Sequence, residues 1–405
     1  MCRVCGGTVH QFFDFGRQPL SDMFLGPGDL EHEFFFRLAV GICESCTMTQ
    51  LMDEVARDRM FHDAYPYHSS GSVHMRRHFE QTANRFLDTH LSGRGPDPFI
   101  VEIGCNDGVM LRTLGKAGVR HLGVEPSGGV ADLARANGVR VRTDFFEEPT
   151  AADIVAEEGT ADLIYAANTI CHIPYIGSIF RGVDALLAPD GAFVFEDPYL
   201  GDILDRTTFD QIYDEHFFFF TVRSVQAVAA RHGFEVVDVE RLPVHGGEVR
   251  YTITRRGTRT PTAAVAELAD LERARGLGTR EAFDPFAADI ERIRHELVTL
   301  LRGLAAEGKR VVGYGATAKS ATVTNYCGIG PELISFVCDA TPAKHGKLMP
   351  GSHIPVRPGE ALADPYPDYA VLFAWNHAEE IMAKERAFHE AGGRWILYVP
   401  EVHIV

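Results

Sequence analysis

The chain has 405 residues, of which 45% are hydrophobic and 23% are charged, and its formal net charge at pH 7 is -17. This composition is typical of a globular protein of two or three domains, and the acidic balance argues against binding to a nucleic-acid backbone, whose phosphates would be repelled. The sequence has no apolar run long enough to cross a membrane and no signal-peptide pattern, so we expect a cytoplasmic protein without nucleic-acid or membrane partners.

Two C-x-x-C pairs lie near the start of the chain, Cys2 with Cys5 and Cys43 with Cys46. Together they can present four thiolates to one tetrahedral ion, which predicts a closed structural zinc site with no open position for catalysis. An iron–sulfur cluster is the chemical alternative. We assign residues 1–64 to this zinc-knuckle module, where phenylalanines between the pairs supply a core too small to be stable without the metal.

A turn-rich segment with two phenols, from Tyr65 to Ser72, interrupts a stretch at 53–98 that otherwise has a largely helical pattern. One interpretation is a lid over a substrate, since the segment precedes the next domain directly. The other is a capping loop in which Ser69 or Ser70 begins a helix. Local sequence does not separate the two.

An apolar run from Phe99 to Ile103 enters the loop E-I-G-C-N-D-G, and a helical pattern follows. Gly104 and Gly108 allow a ligand close to the backbone, and the helix start beyond them offers unpaired N–H groups. The next strand ends at Glu125, the position where an acid typically binds a ribose. The loop lacks the third glycine of a dinucleotide site and resembles the first motif of class I S-adenosylmethionine (SAM) methyltransferases. A glycine-rich turn without a ligand is the alternative.

Strands and helices alternate from residue 99 onward, which predicts a doubly wound α/β sheet in a domain at 65–257 that includes the preceding lid. The predicted strands are 99–103, 121–125, 139–141, 163–166 and 193–196, and the predicted helices lie near 109–117, 128–136, 150–157 and 176–187. Asp144 and Phe145 follow the third strand, where an acid and an aromatic ring commonly hold adenine. Asn168 follows the fourth strand and is expected to face the methyl donor. Glu102 and Asn106 complete the expected cofactor contacts.

A phenol, two carboxylates and an imidazole precede four consecutive phenylalanines in the segment Y-D-E-H at 213–216. Burial beside these rings would raise a carboxyl pKa, and a neighbouring acid can orient a histidine, so Glu215 and His216 are predicted to act together as a base. His172, just past a strand, is a second candidate. A polar turn ahead of a buried strand is the structural alternative.

Two further features precede the last third of the chain. His245 and Gly246 begin an H-G-G turn into a strand at 249–253, which explains a tight hairpin and also allows a substrate contact. Asp284 and Pro285 then form an N-cap and N1 pair, and the apolar residues that follow lie on one face of a long helix expected to pack on a neighbouring domain. These are Phe286, Ile290, Ile293, Leu297, Leu300 and Leu304.

Residues 258–405 contain a second strand–loop–helix pattern. The loop G-Y-G-A-T-A-K follows an apolar strand, and the next strand ends at Asp339, which predicts a second Rossmann-like domain with a nucleotide ligand. Lys319 and Thr317 at the helix start suit a phosphate. Alone, this pattern is also typical of a nicotinamide site.

Taken in order, the four-cysteine module, the E-I-G-C-N-D-G loop, the Y-D-E-H segment, the H-G-G turn and the G-Y-G-A-T-A-K loop resemble one family over essentially the whole chain. They resemble the sugar C-methyltransferases of bacterial deoxysugar and antibiotic pathways, such as the 3-C-methyltransferases of dTDP-4-keto-2,6-dideoxyhexoses. The resemblance implies SAM as cofactor, structural zinc, and a C-terminal domain that holds a dTDP-linked 4-keto-deoxysugar rather than NAD.

The resemblance also implies roles for individual residues. His216 would be the general base, with Tyr213, Glu215 and His172 around it and Tyr67 from the lid touching substrate. Further substrate contacts are expected from His245, Gly246, Tyr314, Thr317 and Lys319. The cleft should lie between the second and third domains of a monomer or small homo-oligomer.

Three alternatives remain open from the sequence. The same enolate chemistry would serve methylation at C5, on the other side of the ketone. Gly313, Gly315, Ala318 and Asp339 also fit a zinc-containing, NAD-dependent nucleotide-sugar oxidoreductase, which leaves Glu125 unexplained. A zinc-knuckle scaffold that only binds is the non-catalytic alternative.

Overall fold

The computed structural model describes residues 1–26, 28–63 and 65–405. Its described strands are β1 Val9–Pro19, β2 Phe35–Cys43, β3 Thr49–Leu51, β4 Phe99–Ile103, β5 Arg120–Val124, β6 Val141–Arg142, β7 Ala161–Ala167, β8 Leu187–Pro198, β9 Phe218–Phe219, β10 Phe234–Leu242, β11 Glu248–Arg255, β12 Val311–Tyr314, β13 Val337–Asp339, β14 Val356–Pro358, β15 Tyr369–Leu372, β16 Arg394–Leu397 and β17 His403–Ile404.

The α-helices of the same ranges are α1 Arg57–Met60, α2 Val73–Asp88, α3 Val109–Lys116, α4 Gly128–Ala136, α5 Glu148–Glu158, α6 Ile176–Leu186, α7 Leu200–Asp205, α8 Val222–Arg231, α9 Ala263–Ala274, α10 Asp284–Ala306, α11 Ala318–Cys327, α12 Ala378–Lys384 and α13 Arg386–Glu390. The expected α/β class is confirmed, with a cysteine-bearing N-terminal module followed by two Rossmann-like sheets. None of the helices in the described ranges is long and apolar enough to span a membrane.

The central sheet has the strand order β10-β11-β8-β7-β4-β5-β6. Its five strands from β8 to β6 are parallel, whereas β11 runs antiparallel to both β8 and β10. The order reverses between β4 and β7, and ligands of such sheets bind outside the carboxyl ends of the strands at that reversal. The loops after β4, β5 and β7 therefore form the expected cofactor edge.

The C-terminal sheet has the order β14-β13-β12-β15-β16-β17, and only β17 pairs antiparallel. Its reversal point lies between β12 and β15. The carboxyl ends of these two strands carry the loops that begin at Gly315 and Phe373, so the second predicted nucleotide edge has the same construction as the first.

The N-terminal sheet is completed by a strand from the central part of the chain. β9 pairs antiparallel with β3, and the Leu51 N–H donates to the Phe217 carbonyl at 2.9 Å. Of the phenylalanines expected to form a miniature core, Phe34 and Phe36 pack around Leu20, Val55 and Met60 within the module, whereas others pack on the rest of the molecule. Phe12, for example, stacks on Phe283 with ring centroids 4.0 Å apart, so the module shares one core with the rest of the molecule.

Two predicted helical stretches differ in part from those observed. In the described part of 53–98, α1 and α2 lie on either side of the predicted break at Tyr65–Ser72, which contains a 3-10 turn at Ser69–Gly71, and α1 is only four residues long. α10 begins at Asp284 with Phe283 at the N-cap, so Asp284 is not the cap. The helix buries Leu301 rather than Leu300, since a helix of 3.6 residues per turn moves its buried stripe by one position over this length.

Candidate active site

The four predicted zinc ligands converge at one point. Their sulfur atoms lie within 4.8 Å of one another, and the Cys2–Cys46 and Cys5–Cys43 separations are 3.5 and 3.4 Å. The backbone N–H groups of Val4 and Gly7 donate to the sulfurs of Cys2 and Cys5, as expected around thiolates that hold a metal. Four thiols without a disulfide, in tetrahedral reach of one centre, fit a structural zinc ion.

The loop after β4 is tied to the end of β5. The Gly104 N–H donates to the Val124 carbonyl at 2.8 Å, and the Glu125 carboxylate accepts from the N–H groups of Asn106 and Ser127 at 3.0 and 2.9 Å. Gly104 has a φ of +70°, and a Cβ there would lie 2.3 Å from the Thr169 hydroxyl. Glycine is therefore required at this position by both backbone conformation and packing.

Buried carboxylates without cationic partners surround this loop. Glu102 and Asp107 are each 4% exposed, and each has one carboxylate oxygen without a hydrogen-bond partner among the described residues. Burial, followed by the charge of Asp107, raises the pKa of Glu102 well above its ordinary value. The raised pKa favours the neutral form of Glu102 when no cation is near, so these desolvated acids fit a ligand that brings positive charge, and SAM carries both a sulfonium and an ammonium group.

The lid segment contacts the cofactor loop directly. The Ser69 N–H donates to the Asn106 side chain at 2.9 Å, the Ser70 N–H donates to Asp107 at 3.1 Å, and the Asn106 amide donates to the Tyr67 carbonyl at 3.1 Å. Tyr67 itself is 41% exposed. Of the two interpretations, the helix-capping one is not observed at these serines, because Ser72 caps α2.

Three other predicted cofactor residues, Asn168, Asp144 and Phe145, contact other parts of the protein. Asn168 directly follows β7 with a φ of +48°, and its N–H donates to the Glu196 carbonyl. Asp144 is exposed and paired with Arg142, and the Phe145 ring lies 4.2 Å below the guanidinium of Arg57. Asp144 and Phe145 thus already have partners on the outer rim of this edge.

His216 is 5% exposed and held from both sides. Its Nδ1–H donates to the Gln211 carbonyl at 2.8 Å, and its Nε2 accepts from the Tyr213 hydroxyl at 2.7 Å, so the free lone pair is on Nε2. Burial lowers the pKa of His216 well below its ordinary value. The imidazole is therefore neutral near pH 7, which is the form a general base needs.

Glu215 does not orient His216, contrary to the expected acid–histidine pair. Its carboxyl group accepts a hydrogen bond from the Tyr65 hydroxyl at 3.0 Å, while the Gln211 carbonyl supplies the partner of His216. Burial, and then the charges of Asp22 and Asp214, raise the pKa of Glu215 well above its ordinary value. Adjacent residues on a tight turn point apart, which explains why sequence adjacency misled the prediction.

His172 lies beside the predicted base. The ring centroids of His172 and His216 are 5.2 Å apart, and the Phe61 ring stacks on the other face of His172 at 5.7 Å. The buried Nε2 of His172 has no hydrogen-bond partner among the described residues. Burial lowers the pKa of His172 to about 3, so this imidazole is also neutral.

The C-terminal domain fixes the turn that carries the predicted base. Trp375 Nε1–H and the Tyr398 hydroxyl each donate to the Asp210 carboxylate at 2.6 Å, and the Thr322 hydroxyl donates to the Ile212 carbonyl at 2.9 Å. Together with the pairing of β9 to the N-terminal sheet, these contacts attach the Y-D-E-H turn to all three parts of the molecule. None of these long-range contacts has a sequence signature.

The second glycine loop repeats the backbone geometry of the first. The Gly315 N–H donates to the Cys338 carbonyl at 2.7 Å, and the Asp339 carboxylate accepts from the N–H groups of Ala316 and Thr341 at 2.8 and 2.7 Å. Its surroundings have the opposite charge, because Lys344 donates to the Ala316 carbonyl at 2.8 Å and Lys319 lies at the start of α11.

The predicted substrate residues of this domain separate into two groups. The Thr317 hydroxyl caps α11 by accepting from the Ser320 N–H, and the Lys319 ammonium lies 5.6 Å from the Trp375 ring centroid. Both residues are on the nucleotide edge. Tyr314 is not, because its side chain packs in the core on the opposite sheet face and its hydroxyl donates to Glu385 at 2.7 Å.

The H-G-G turn meets the C-terminal domain. His245 has a φ of +49°, and a Cβ at Gly246 would lie 2.6 Å from the Trp375 ring. Burial, followed by the charge of Lys319, lowers the pKa of His245 well below its ordinary value, so the two side chains share one environment. Predicted residues from the second and third domains are thus brought together at one cleft.

One residue of this cleft was not predicted. Glu248, the first residue of β11, is 0% exposed, and neither carboxylate oxygen has a hydrogen-bond partner among the described residues. Burial, and then the charge of Glu196, raise the pKa of Glu248 well above its ordinary value. Burial lowers the pKa of Lys319, and the negative charge of Glu248 acts against that effect. An acid directly after a glycine pair is the only signal that the sequence offers for it.

Family models match three successive segments of the chain. They are described as "Putative zinc binding domain" at residues 2–61, "Methyltransferase domain" at 74–239 and "C-methyltransferase C-terminal domain" at 243–400. The order agrees with the cysteine module, the first Rossmann-like sheet and the second.

Two curated relatives differ in how much of the chain they match. C-methyltransferase NovU of Streptomyces niveus is 37% identical over 410 residues, which cover 100% of this chain and 96% of that protein. Sarcosine/dimethylglycine N-methyltransferase of Halorhodospira halochloris is 26% identical over 179 residues, which cover 40% of this chain and 62% of that protein. Similarity over the whole length thus extends to a C-methyltransferase.

Two solved structures illustrate matches that cover less than half of the chain. Magnesium protoporphyrin IX methyltransferase (ChlM) of Synechocystis PCC 6803 with bound SAH is 11% identical, with a TM-score of 0.36, and the match covers 44% of this chain and 83% of that one. Geranyl diphosphate C-methyltransferase of Streptomyces coelicolor A3(2) is 16% identical, with a TM-score of 0.35, and the match covers 46% and 85%.

The full-length similarity and the three domain matches confirm the expected SAM-dependent methyltransferase and the expected zinc-binding module. The chain belongs to the C-methyltransferase family, as a SAM-dependent enzyme with an N-terminal zinc-binding module and a C-methyltransferase C-terminal domain.

Proposed function

We propose that this enzyme methylates carbon 3 of a dTDP-linked 4-keto-deoxysugar in a deoxysugar or antibiotic pathway. A hydrogen on the carbon next to a ketone is acidic because its conjugate base is an enolate, so the site needs a base at that carbon and donors at the carbonyl oxygen. The observation that carries the proposal is His216, a buried neutral imidazole that lies beside His172 after β7 and on a turn bonded to the C-terminal domain through Asp210 and Ile212.

The base step follows from the hydrogen bonds of His216. Because Nδ1–H is held by the Gln211 carbonyl, Nε2 is the atom that accepts the C3 proton. The Tyr213 hydroxyl, now bonded to Nε2, is free to donate to the enolate oxygen once substrate occupies the site. His172 is the second candidate donor, since its Nε2 is buried without a partner among the described residues.

The charges of the two edges support one ligand at each. When bound, SAM supplies an electrophilic methyl group that the enolate carbon accepts, with loss of the sulfonium charge. Glu102, Asp107 and Glu125 would hold this cationic group, whereas Lys319 and the N–H groups at the start of α11 suit the diphosphate of the sugar nucleotide. Placing both in a dry cleft beside His216 supplies much of the rate through near-attack geometry.

Hydrogen exchange at the sugar ring tests the base step without methyl transfer. Incubation of the enzyme with dTDP-4-ketosugars in deuterated water, without SAM, should place deuterium at C3, as read by NMR. Deuterium at C5 instead would overturn the assignment of C3 and would indicate methylation at C5. Absence of exchange with every ketosugar would contradict the enolate mechanism.

A pair of histidine variants tests the assigned base. His216→Asn should lower ring exchange and methyl transfer by about 100-fold or more, because general base catalysis contributes about 10²–10⁴ in rate. His389→Asn, on the exposed surface of α13, is the matched control and should leave both rates unchanged. Calorimetric titration of SAM should give the same affinity in both variants. Tight binding of NAD instead of SAM by the parent enzyme would favour the NAD-dependent oxidoreductase.

A further inference from the structure

Three metal-ligating side chains lie together beside the catalytic turn. Cys171 and His172 end a 3-10 turn at Ile170–His172 that follows β7, and His216 approaches from the Y-D-E-H turn. One donor atom from each lies within 4.8 Å of those from the other two. This cluster is separate from the four cysteines of the N-terminal module, and it contains no residue of that site.

The two imidazoles are arranged as metal ligands usually are. His216 is anchored through Nδ1–H to the Gln211 carbonyl, which fixes its tautomer and leaves Nε2, now accepting from the Tyr213 hydroxyl, as the nitrogen that carries a lone pair. A backbone carbonyl on the far nitrogen is the common outer partner of a metal-bound histidine. His172 has a buried Nε2 with no hydrogen-bond partner among the described residues, so a metal ion would satisfy an atom that otherwise has none.

The third donor is a thiol next to the carboxylate of Asp197. Cys171 is 2% exposed, and its N–H donates to the Asp197 carboxylate at 3.2 Å. Coordination would require the thiol to lose its proton, as for every cysteine ligand. His172 keeps a partly exposed edge, which leaves an approach to the cluster from the cleft.

We propose that Cys171, His172 and His216 form a second metal site, which takes a soft divalent ion such as Zn²⁺ and thereby inhibits the enzyme. Two imidazole nitrogens and one thiolate are a ligand set that zinc accepts with a fourth position open. The ion would replace the hydrogen bond from Tyr213 at Nε2 of His216. Since that atom is the proposed base, the inhibitory part of this inference rests on the proposed function.

Metal binding to the intact zinc-containing enzyme tests the site itself. The protein, with its four-cysteine site filled, should bind one additional equivalent of Zn²⁺ by calorimetry and elemental analysis. Added Co²⁺ should produce a sulfur-to-metal charge-transfer band. In Cys171→Ala both should weaken by at least about tenfold, because one of three ligands is lost. Cys327→Ala, a buried cysteine on α11, is the matched control and should behave like the parent protein.

The rate measurements separate this inference from the proposed function. Methyl transfer by the parent enzyme should fall as the additional equivalent binds, and Cys171→Ala, active in metal-free buffer, should need a higher Zn²⁺ concentration for the same loss. If no additional equivalent binds, or if Cys171→Ala leaves the Co²⁺ spectrum unchanged, the site does not exist. If the metal binds through Cys171 without slowing ring exchange, inhibition is overturned and His216 is not the base.

Discussion

The two Rossmann-like domains use one backbone arrangement for two opposite electrostatic environments. In each, a glycine N–H after the first strand donates to the end of the next strand, and the acid there accepts two loop N–H groups. Around Gly104 lie buried carboxylates without cations. Around Gly315 lie Lys319 and Lys344.

The comparison shows that backbone geometry alone does not identify the ligand of such a loop. Glu125 and Asp339 make the same hydrogen bonds, so neither acid separates SAM from a nucleotide. The surrounding charge makes the distinction, because a buried carboxylate is compensated by a cationic ligand and a buried ammonium by an anionic one.

The largest effect is expected from removing zinc, because the zinc-binding module helps hold the loops at Gly104 and Gly315 in position relative to each other. The module bridges both domains, since β3 pairs with β9 while Glu33 accepts from the Gly351 N–H and from His353. Cys43→Ser should lower methyl transfer by about 100-fold or more, because displacement of reacting groups by about 1 Å can cost that much. Turnover and thermal unfolding measure it. Full activity in Cys43→Ser, or equal loss in Cys338→Ser, would show that the module is not needed for alignment.

Next in size is the exchange of each loop glycine for alanine. Gly104→Ala would place a Cβ 2.3 Å from the Thr169 hydroxyl at a φ of +70°, and Gly315→Ala would place one 2.7 Å from the Ala374 Cβ at a φ of +90°. Such strain costs about 1–3 kcal/mol. Gly104→Ala should therefore weaken SAM binding by roughly 10-fold to 100-fold with little change in sugar-nucleotide binding, and Gly315→Ala should do the reverse. Calorimetry with each ligand measures both, and the two-domain assignment is wrong if one variant impairs both ligands equally.

Charge removal should have a smaller effect on each ligand. Lys319→Met is expected to raise the KM of the sugar nucleotide by roughly tenfold, which corresponds to about 1.4 kcal/mol. Its SAM affinity should stay unchanged. A KM for the sugar that does not move would exclude Lys319 from phosphate binding, and Lys384→Met on the opposite side of the sheet is the control.

Glu102→Gln should weaken SAM binding at the Gly104 loop and should change how that binding depends on pH. Burial raises the pKa of Glu102 in the free enzyme, and a bound cation would lower it, so SAM binding should release a proton and strengthen as pH rises. In Glu102→Gln the affinity should be about tenfold lower at high pH and independent of this titration. Calorimetry in buffers of different ionisation enthalpy measures the released proton, and equal pH profiles for parent and variant would contradict the assignment.

The smallest expected effect concerns the N-caps of α3 and α11, the helices that follow the two glycine loops. Thr317 caps α11 through the Ser320 N–H, whereas Gly108 at the N-cap of α3 has no side chain to do so. Thr317→Ala should lower stability by about 1 kcal/mol. Thr317→Ser keeps the hydroxyl and should be near neutral. Denaturant unfolding compares the two, and equal stability of both variants would show that the cap contributes little.

Local patterns in the sequence predict most of the two sheets and the four-cysteine cluster. The loop at Gly104, the acid at Glu125 and their spacing lie within one strand–helix–strand unit, so short-range chemistry determines them. The same holds for Gly315 and Asp339. Tyr314 was misplaced because strand alternation turns it to the opposite face, which the motif alone does not reveal.

The Y-D-E-H turn could be singled out by its residue types, but its arrangement could not be predicted. Its contacts come from residues far away in sequence, including Trp375 and Tyr398 on Asp210 and Leu51 on Phe217. Pairing of two short strands leaves no periodic signal in either one. No periodic pattern pointed to Glu248 either. It is a buried acid whose carboxylate oxygens have no hydrogen-bond partner among the described residues.

The pairing of β9 with β3 also constrains how the chain matures on the ribosome. The N-terminal sheet is synthesised first, yet its edge stays open until Phe218 and Phe219 have been translated. An open edge strand invites pairing with other chains. Nascent protein should therefore aggregate most readily during this interval, and truncations that end before the Y-D-E-H turn should be insoluble even when zinc is abundant.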